Sequence, residues 1–326
     1  MKVVDMHCDT ISELLHARER GEEASILENH LHIDLNRMQK GDYLLQNFAM
    51  FVHLGKTADP FHYAMKLVDL FYNELEPYSD RIGIVKRWED IEENQKAGKM
   101  SAMLTLEEGG ICKGDLSCLR DFYRLGARMM TITWNFPNEL GFPNGKDESV
   151  SPARSVPDTE HGLTETGIAF VQEMERIGMI IDISHLNDAG IRDIFELTHG
   201  PVIASHSNAR TLCSHLRNLS DNNIRMIGER GGVIGINYFV GFLEDGGKIG
   251  RIEKMVEHMQ YIKNLAGIDA IALGSDFDGF GELCELSGAE KMQQLASEME
   301  RQGFSSAEID KVFSLNALRV FRSVLS

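Results

Sequence analysis

The stretch TETGIAFVQEMERIGMIIDISH (164–185) contains one complete unit of the fold that this chain is expected to adopt. Its first part repeats apolar residues at three-residue steps, as an amphipathic helix does; they are Ile168, Val171, Met174 and Ile177. Gly178 follows, where a helix commonly ends with a glycine cap. The apolar run IIDISH (180–185) then predicts a short strand. A helix that runs into a strand is the repeating unit of an α/β protein.

The same alternation continues along the chain. Helical patterns occupy 61–76, 115–126, 164–178 and 252–267. Eight apolar runs predict strands; they are 2–7, 47–53, 100–107, 127–133, 180–185, 201–207, 232–238 and 270–277. Eight strands separated by helices is the count of a (β/α)8 TIM barrel, and no break in composition divides residues 1–326. We therefore expect an α/β fold with one barrel domain, and additional C-terminal helices over 305–325.

Two regions depart from this simple plan. Residues 18–46 are charged and only patchily helical, so we expect an insertion after the first strand. Residues 135–163 carry most of the prolines and many turn-forming residues, which predicts a long loop after the fourth predicted strand. Long loops of this kind often act as functional lids.

Composition excludes several classes of partner. The formal net charge of −17 argues against nucleic acid and anionic membranes as partners. No run of about 18 apolar residues predicts a transmembrane helix. The five cysteines are scattered without zinc-finger spacing, which favours a reducing compartment. An apolar run begins at residue 3 and leaves no room for a leader before it, so we expect a cytoplasmic protein.

Polar residues follow five of the eight predicted strands. Barrel enzymes carry their chemistry at the C-terminal ends of the strands, where the loops meet. These strand ends carry metal-competent side chains; they are His7 and Asp9, Glu107 and Glu108, His185, His206, and Asp276 and Asp278. Imidazole and carboxylate together suit Zn²⁺ or another borderline divalent ion, with Mn²⁺ and Co²⁺ also admitted. Five such ends in one barrel predict a metal site.

The spacing assigns a direction to some of these side chains. His7 and Asp9 are two residues apart, so a strand would point both to one face, although a buried His satisfied by a neighbouring Asp is the alternative. Glu108 precedes two glycines that allow a sharp turn, so we expect its carboxylate to aim at the barrel axis and bridge two cations. We interpret Glu107 as a solvated loop charge.

Two further residues suggest roles in a reaction. Asp276 could take a proton from a metal-bound water and pass it to a leaving group, whereas Asp278 precedes a glycine and is interpreted as a turn former. Arg217 follows the sixth predicted strand and could bind a substrate carboxylate through two hydrogen bonds, although most loop arginines are simply solvated.

Six motifs resemble, in order, those of the membrane (renal) dipeptidase family of zinc metallopeptidases. They are HCD (7–9), EEGG (107–110), IDISH (181–185), PVIASHSNA (201–209), RNLSD (217–221) and GSDFDG (274–279). The resemblance runs from residue 3 to residue 321. It implies an amidohydrolase-type barrel that holds two Zn²⁺ ions and hydrolyses L-L and L-D dipeptides with a metal-bridging hydroxide. The resemblance also implies a possible homodimer.

The resemblance implies a role for each matching residue. His7 and Asp9 would bind one zinc ion, His185 and His206 the other, and Glu108 would bridge the two. Asp276 would transfer the proton, and Arg217 would hold the C-terminal carboxylate of the dipeptide. The family has a His after the fourth strand that stabilises the tetrahedral intermediate, whereas this chain has Trp134 there, with Asn135 beside it. Asn135 could donate a hydrogen bond to the oxyanion instead.

Trp134 and Tyr238 are expected to contact the substrate, and the shape of the pocket is expected to depend on Tyr238 or Phe239 at the end of the seventh predicted strand. Two alternatives remain at this point. Other amidohydrolase-type enzymes, such as deacetylases, cyclic amidases and phosphotriesterases, resemble one another in a His-x-His motif and often a carboxylated Lys on the fourth strand. This chain has His-x-Asp and no Lys in 127–133. The other alternative is a non-catalytic metal-binding barrel, with Trp134 as a sign of decay; the intact ligand positions argue against it.

Overall fold

A closed parallel barrel forms the centre of the computed structural model, which describes residues 1–144 and 157–325. Within these residues the strands are β1 Val3–Cys8, β2 Tyr43–Phe51, β3 Ile82–Val85, β4 Met100–Glu107, β5 Ala127–Thr131, β6 Ile180–Asp182, β7 Ile203–Ala204, β8 Val233–Ile236 and β9 Ile271–Leu273. Eight of them close a ring in the order β1-β2-β4-β5-β6-β7-β8-β9, because β9 pairs with β1 and β2 pairs with β4. The predicted (β/α)8 TIM barrel is confirmed.

The strand β3 is the one element of the sheet that the sequence did not predict. It pairs with the first half of β4, Met100–Met103, while β5 pairs with the second half. Because β2 occupies the other edge of β4, β3 extends the barrel wall below β5 without joining the closed ring. Its four residues stand between the charged residues Arg81 and Lys86, and two of them are only half-buried, so no longer apolar run marks the strand.

Helices cover the outside of the barrel and account for the predicted helical patterns. They are α1 Thr10–Glu19, α2 Leu35–Lys40, α3 Pro60–Leu75, α4 Trp88–Lys96, α5 Leu116–Leu125, α6 Glu165–Ile177, α7 Asp188–Leu197, α8 Asp221–Glu229, α9 Val240–Leu243, α10 Ile252–Ala266, α11 Met292–Arg301, α12 Ser306–Asp310 and α13 Asn316–Leu325. The four predicted helices are confirmed to within one residue at each end. In α6, the Thr164 hydroxyl accepts a hydrogen bond from the Gly167 N–H, and Gly178 ends the helix with φ +75°.

The two irregular regions are only partly as expected. The proposed insertion over 18–46 ends earlier, because β2 already begins at Tyr43 and α2 lies just before it. In the long loop over 135–163, residues 135–144 and 157–163 form neither a helix nor an extended strand. The remainder of that predicted loop, residues 145–156, lies outside the described residues. Across the described ranges, every helix is too short or too polar to cross a lipid bilayer.

The helix α13 closes the N-terminal end of the barrel. Its residues Ala317, Val320 and Phe321 are fully buried and join a cluster of inward-facing strand side chains. Those strand residues are Val4, Met6, Leu45, Met103, Met129, Ile180, Ile203, Val233 and Ala272. The predicted packing of the C-terminal segment on the barrel is confirmed. Because this end is filled with apolar side chains, only the C-terminal ends of the strands are left to form a polar site.

A buried histidine joins α10 to the loop after β7 and to the helix α9. The Nδ1 atom of His258 accepts a hydrogen bond from the Ala209 N–H at 3.0 Å, and its Nε2 lies 3.0 Å from the Leu243 carbonyl oxygen. This pattern requires the neutral imidazole, since a proton on Nδ1 would face another donor. Burial lowers the pKa of His258 from 6.5 to about 4, against the opposing effect of the Leu243 carbonyl.

His258 should therefore make the fold sensitive to acid. Its pKa is lower in the folded chain than in the unfolded chain, so its stabilising contribution is present above pH 6.5 and is lost as the pH falls toward 4. The loss is about 3 kcal/mol at most. In urea unfolding with a chelator present, His258→Asn should reduce the change in the free energy of unfolding between pH 7.5 and pH 4.5. An identical change in wild type and variant would contradict this expectation.

Candidate metal centre and active site

The end of β1 brings His7 and Asp9 to the open mouth of the barrel. His7 is almost completely buried, and its Nε2 atom lies 3.5 Å from Asp9 Oδ2, 3.2 Å from Glu107 Oε2 and 3.8 Å from Asp276 Oδ1. Neither ring nitrogen of His7 forms a good hydrogen bond among the described residues, and the same holds for Asp9 Oδ1. Buried polar atoms in native proteins are nearly always paired, so these atoms are candidates for binding a ligand.

His185 and His206 point at the same place from the loops after β6 and β7. Their Nε2 atoms are 3.0 Å apart, and both lie near Glu107 Oε1, at 3.2 Å and 3.5 Å. The His7 and His206 rings stack with centroids 3.8 Å apart. The structure thus brings together four of the predicted ligands, His7, Asp9, His185 and His206.

The outer nitrogens of the two loop histidines are held by hydrogen bonds. His185 Nδ1 lies 2.9 Å from Asn135 Oδ1, and His206 Nδ1 lies 2.8 Å from the Ser205 hydroxyl oxygen. Ser205 donates its own proton to Asp182 Oδ2 at 2.5 Å, so it accepts from His206. Both contacts favour the tautomer with the proton on Nδ1, which leaves each Nε2 lone pair facing the cluster. Partners of this kind commonly orient metal-binding histidines.

Two buried carboxylates below the cluster fix the surrounding backbone. Asp182 accepts hydrogen bonds from the Ser184 and Ser205 N–H groups at 3.0 Å and 2.8 Å. Asp5 accepts from both the N–H and the hydroxyl of Ser275, at 2.9 Å and 2.6 Å. From the sequence, Asp5 is interpreted as orienting a ligand because it shares the strand parity of His7 and Asp9, whereas Asp182 could not be assigned a role. The available signal was the spacing, since each Asp lies two or three residues before a predicted ligand, in DMH (5–7) and DISH (182–185).

The central carboxylate belongs to Glu107, and the predicted position of Glu108 is wrong. Glu107 is 3% exposed, and its two oxygens face His7 on one side and His185 and His206 on the other. The interpretation of Glu107 as a solvated loop charge is therefore also wrong. Strand parity would have found it, because Met103 points into the barrel and Glu107 lies four residues further along the same strand.

Glu108 turns away from the cluster at the end of β4. Its backbone has φ +104°, and its carboxylate accepts hydrogen bonds from the Trp134 N–H at 3.0 Å, the Gly110 N–H at 2.8 Å and the Asn138 side chain. These contacts hold the loops after β4 and β5 together. Glu108 is therefore a buried structural carboxylate beside the site.

Asp276 completes the floor of the site from the loop after β9. Its Oδ2 atom accepts a hydrogen bond from the Asn237 side chain at 2.8 Å, so Oδ1 faces His7. Asp278 instead accepts hydrogen bonds from the Thr10 hydroxyl and from the N–H and ring of His32, at 2.6–2.8 Å. Asp278 therefore anchors two loops.

Burial and charge shift the acidity of the whole cluster. Burial raises the pKa of Asp276 to about 6 and that of Asp9 to about 7; Glu107 adds to both shifts and His7 opposes them. Burial would also raise the pKa of Glu107, but His7 and His185 outweigh it and hold that pKa below its usual range. Burial would lower the pKa of His7, yet the neighbouring carboxylates raise it. The carboxylates of the cluster thus have the protonated His7 as their counter-charge. A site with this excess of acidic groups favours the binding of cations.

A cavity of about 330 Å³ opens directly above the cluster. Its floor includes Asp9, Glu107, His185 and Asp276, and its walls include Trp134 and Asn135. The predicted place of Trp134 beside the site agrees with this lining. Tyr238 does not line the cavity: it is fully buried and packs edge-on against Phe277, with ring centroids 5.5 Å apart. Its predicted contact with substrate is wrong, because the next residue, Phe239, is the one that faces the cavity.

Arg217 lies behind the cavity wall near the cluster. Its guanidinium donates hydrogen bonds to the Ser207 hydroxyl at 3.1 Å and to the His206 carbonyl at 2.8 Å, and it lies 5.4 Å from the centre of the Phe242 ring. Burial lowers the pKa of Arg217 to about 10, so it is protonated at neutral pH. Its Nε atom is buried and has no hydrogen-bond partner among the described residues. Arg217 is thus a fixed cation with one unpaired donor beside the site, but it does not itself line the cavity.

The side chains at this mouth suit divalent metal ions. The ligand atoms of His7, Glu107 and His206 lie within 4.8 Å of one another, and so do those of His7, Asp9 and Asp276. Imidazole and carboxylate are the ligands that Zn²⁺ prefers when thiolates are absent. Gly279 keeps the space open, since a Cβ atom there would lie 2.4 Å from Asp276 Oδ1 and 2.5 Å from Asp9 Oδ2.

A family model named membrane dipeptidase, peptidase family M19, matches residues 1–326. The chain belongs to this family. Membership makes it a metallo-dipeptidase, a hydrolase that acts on peptide bonds, and it confirms the resemblance that the six motifs suggested. It also decides against the alternatives of another amidohydrolase-type enzyme and of a non-catalytic barrel.

Individual relatives and solved structures agree with the family. The chain is 30% identical over 303 residues to dipeptidase tcpJ of Claviceps purpurea (strain 20.1), covering 90% of this chain and 69% of that one. It is 33% identical over 238 residues to an uncharacterised Klebsiella pneumoniae protein from the pqqA 5′ region, covering 72% and 86%. The structure of dipeptidase AC, a metallopeptidase of family M19, superposes with a TM-score of 0.89 at 25% identity, covering 100% and 99%.

A second solved structure shares the fold at lower identity. It is a metallopeptidase from Rhodobacter sphaeroides liganded with a phosphinate mimic of the dipeptide L-Ala-D-Ala. Its TM-score is 0.88 at 23% identity, and the match covers 99% of each chain.

The two adjacent glutamates can be separated by a matched pair of variants. Glu107→Gln removes the charge between the three histidines. We expect the metal affinity to fall by at least 10–100-fold, which is the loss caused by removal of an outer-shell partner. Glu108→Gln should leave metal binding within about threefold of wild type, because Glu108 contacts only N–H donors of the loops. Metal titration against a competing chelator measures both. Metal loss in Glu108→Gln with retention in Glu107→Gln would reverse the assignment.

Proposed function

We propose that this chain is a binuclear zinc dipeptidase that hydrolyses L-L and L-D dipeptides. The observation that carries the proposal is the convergence of three imidazole Nε2 atoms on the two oxygens of Glu107, on the floor of a cavity of about 330 Å³. Ligand cavities of a few hundred cubic ångströms accommodate small molecules. Family membership supplies the reaction class, and the cluster supplies the place for it.

His7 and Asp9 would hold one ion, His185 and His206 the other, and Glu107 would bridge them. The separate orientation of the two Glu107 oxygens supports this division, since Oε2 faces His7 and Oε1 faces the other two histidines. Zn²⁺ is the ion we propose, and Mn²⁺ or Co²⁺ would suit the same ligands. When bound, two such ions would supply a water molecule of lowered pKa and would polarise the peptide carbonyl.

Asp276 is the proposed proton carrier. Its Oδ1 atom faces the cluster, while the Asn237 amide holds its Oδ2 atom. A carboxylate fixed in this way can hold a proton above the floor and deliver it to the departing amine nitrogen of the C-terminal residue. The carboxylate does not need to move far, because it already lines the cavity.

Arg217 is the proposed contact for the C-terminal carboxylate of the substrate, and Asn135 is the proposed contact for the oxyanion of the intermediate. The free Nε donor of Arg217 suits the C-terminal carboxylate of a dipeptide. Asn135 lines the cavity and accepts from His185 through Oδ1; its Nδ2 donates no hydrogen bond among the described residues. That amide group is available for the oxyanion of the tetrahedral intermediate. The ligand of the Rhodobacter sphaeroides structure supports including L-D dipeptides among the substrates.

The wider setting of the protein is also a proposal. We propose that residues 1–326 act as one domain in the cytoplasm, and that the chain forms a homodimer. The net charge of −17 supports the absence of nucleic-acid and anionic-membrane partners. Light scattering of the purified chain tests the dimer.

A panel of L-L and L-D dipeptides tests the proposed activity. We expect hydrolysis by the zinc-loaded chain, loss of at least 100-fold in kcat/KM after chelation, and recovery when Zn²⁺ is restored, because the floor residues alone supply no activated water. Elemental analysis should give close to two metal ions per chain. Absence of hydrolysis for every dipeptide, or activity that survives complete metal removal, would contradict the proposal.

Two substitutions separate the contributions of Asn135. Asn135→Asp keeps an oxygen for His185 but removes the amide donor, whereas Asn135→Ala removes both. We expect Asn135→Asp to retain its metal while kcat falls by about 100-fold, the value of one oxyanion donor. Asn135→Ala should lose both kcat and metal affinity. If kcat of Asn135→Asp stays within about threefold of wild type, the oxyanion role is excluded and only the contact with His185 remains.

A further inference from the structure

Among the residues that the structure describes, five aromatic side chains line the cavity without a role in the proposed chemistry. They are Phe51, Trp134, Phe239, Phe242 and Phe280, and all five are half-buried. Most phenylalanines of the chain lie deeper, as Phe48, Phe71 and Phe122 do. Large apolar rings that stay partly open at the mouth of a site are candidates for contact with the ligand.

The five rings form two separate groups. Phe51 and Trp134 contact each other edge-on, with ring centroids 4.9 Å apart. Phe239 contacts Phe242 at 4.8 Å and Phe280 at 5.8 Å. We call the first pair the β2/β5 wall and the second group the β8/β9 wall, after the strands that carry or precede the rings.

The order of the strands sets these walls on opposite sides of the cavity. In the closed ring β1-β2-β4-β5-β6-β7-β8-β9, the strands opposite β4 and β5 are β8 and β9. The β2/β5 wall flanks Glu107 at the end of β4, and the β8/β9 wall faces it across the cluster. A peptide bond that lies over the cluster along the line between the walls directs one residue toward each of them.

Arg217 distinguishes the two ends of the substrate. Its guanidinium lies 5.4 Å from the Phe242 ring, so the proposed carboxylate contact is on the side of the β8/β9 wall. The C-terminal residue of a dipeptide, which carries that carboxylate, must extend in this direction. The N-terminal residue then extends toward the β2/β5 wall.

From this arrangement we infer that the enzyme prefers dipeptides with large apolar or aromatic side chains at both positions. The β2/β5 wall contacts the N-terminal side chain, and the β8/β9 wall contacts the C-terminal one. The inference rests on the proposed dipeptidase function and adds to it the class of substrate and the residues that select it. Stacking and edge-on contacts with these rings provide the selectivity.

Three dipeptides and two variants test the inference. The zinc-loaded wild type should hydrolyse L-Phe-L-Ala and L-Ala-L-Phe with kcat/KM at least 10-fold above L-Ala-L-Ala. Phe51→Ala should reduce the advantage of L-Phe-L-Ala over L-Ala-L-Ala by about 5–10-fold and leave the advantage of L-Ala-L-Phe unchanged. Phe239→Ala should do the reverse. Each readout is a ratio within one variant, so a general loss of activity or of folded protein cancels.

A control and the contrary outcomes complete the design. Phe61→Ala removes a half-buried ring that packs on Phe122, 5.6 Å away, and does not line the cavity, so both ratios should stay at the wild-type value. Equal hydrolysis of all three dipeptides by the wild type would overturn the inference and leave the dipeptidase function standing. Exchanged effects of the two variants, or one variant lowering both ratios, would overturn it as well. No hydrolysis of any dipeptide would instead contradict the function itself.

Discussion

The carboxylate of Glu107 is the interaction around which the mouth of this barrel is organised. Its two oxygens lie 3.2–3.5 Å from three imidazole Nε2 atoms that come from β1 and from the loops after β6 and β7. In the chain alone, this contact keeps the pKa of His7 high and that of Glu107 low. Asp9 is buried and Asp276 is half-buried beside it, and uncompensated buried charge is strongly destabilising. This arrangement of charges therefore destabilises the folded chain, and bound divalent cations would stabilise it. Such an arrangement is expected of a site that binds metal ions.

Backbone strain is concentrated around the same carboxylate. Among the described residues, six non-glycine positions have positive φ, and four of them, Glu108, His185, Asp276 and Asp278, belong to the loops of the site. Such conformations persist only where the surroundings fix them. Here the fixing contacts are visible, because Asp182 and Asp5 bind the backbone N–H groups of the adjacent strand ends. The regular strands end below the site, and hydrogen-bonded carboxylates hold the loops above them.

These features explain which parts were predictable from sequence. The apolar periods of strands and helices determine the barrel, and polar residues at strand ends identify His7, Asp9, His185, His206 and Asp276 because a barrel gathers those ends at one face. The two wrong assignments at the site were each displaced by one residue. Glu107 was exchanged with Glu108, and Tyr238 with Phe239, because the point where a strand ends decides which of two neighbours faces inward.

Other features carried too weak a signal in the sequence. The strand β3 is a four-residue run between the charged residues Arg81 and Lys86, without the longer apolar run that marks the other strands. The contact between Asn135 and His185 depends on the course of a loop, and a residue pattern does not specify that course. The aromatic walls could not be predicted for a similar reason. Their side chains come from four separate segments that only the closed barrel brings together.

Hydrogen bonds of the backbone and of neighbouring side chains connect the aromatic walls to the floor of the site. The aromatic rings take no part in these hydrogen bonds, so they can be substituted without breaking them. On one side, the Trp134 N–H donates to Glu108 and the adjacent Asn135 binds His185. On the other, the Phe239 N–H donates to the Asn237 side chain, which in turn donates to Asp276. A change of ring at Phe51 or Phe239 keeps these contacts, since none of them uses an aromatic atom. Substrate preference can therefore change at the walls without disturbing the metal ligands, whereas a change in the backbone of either loop would alter both together.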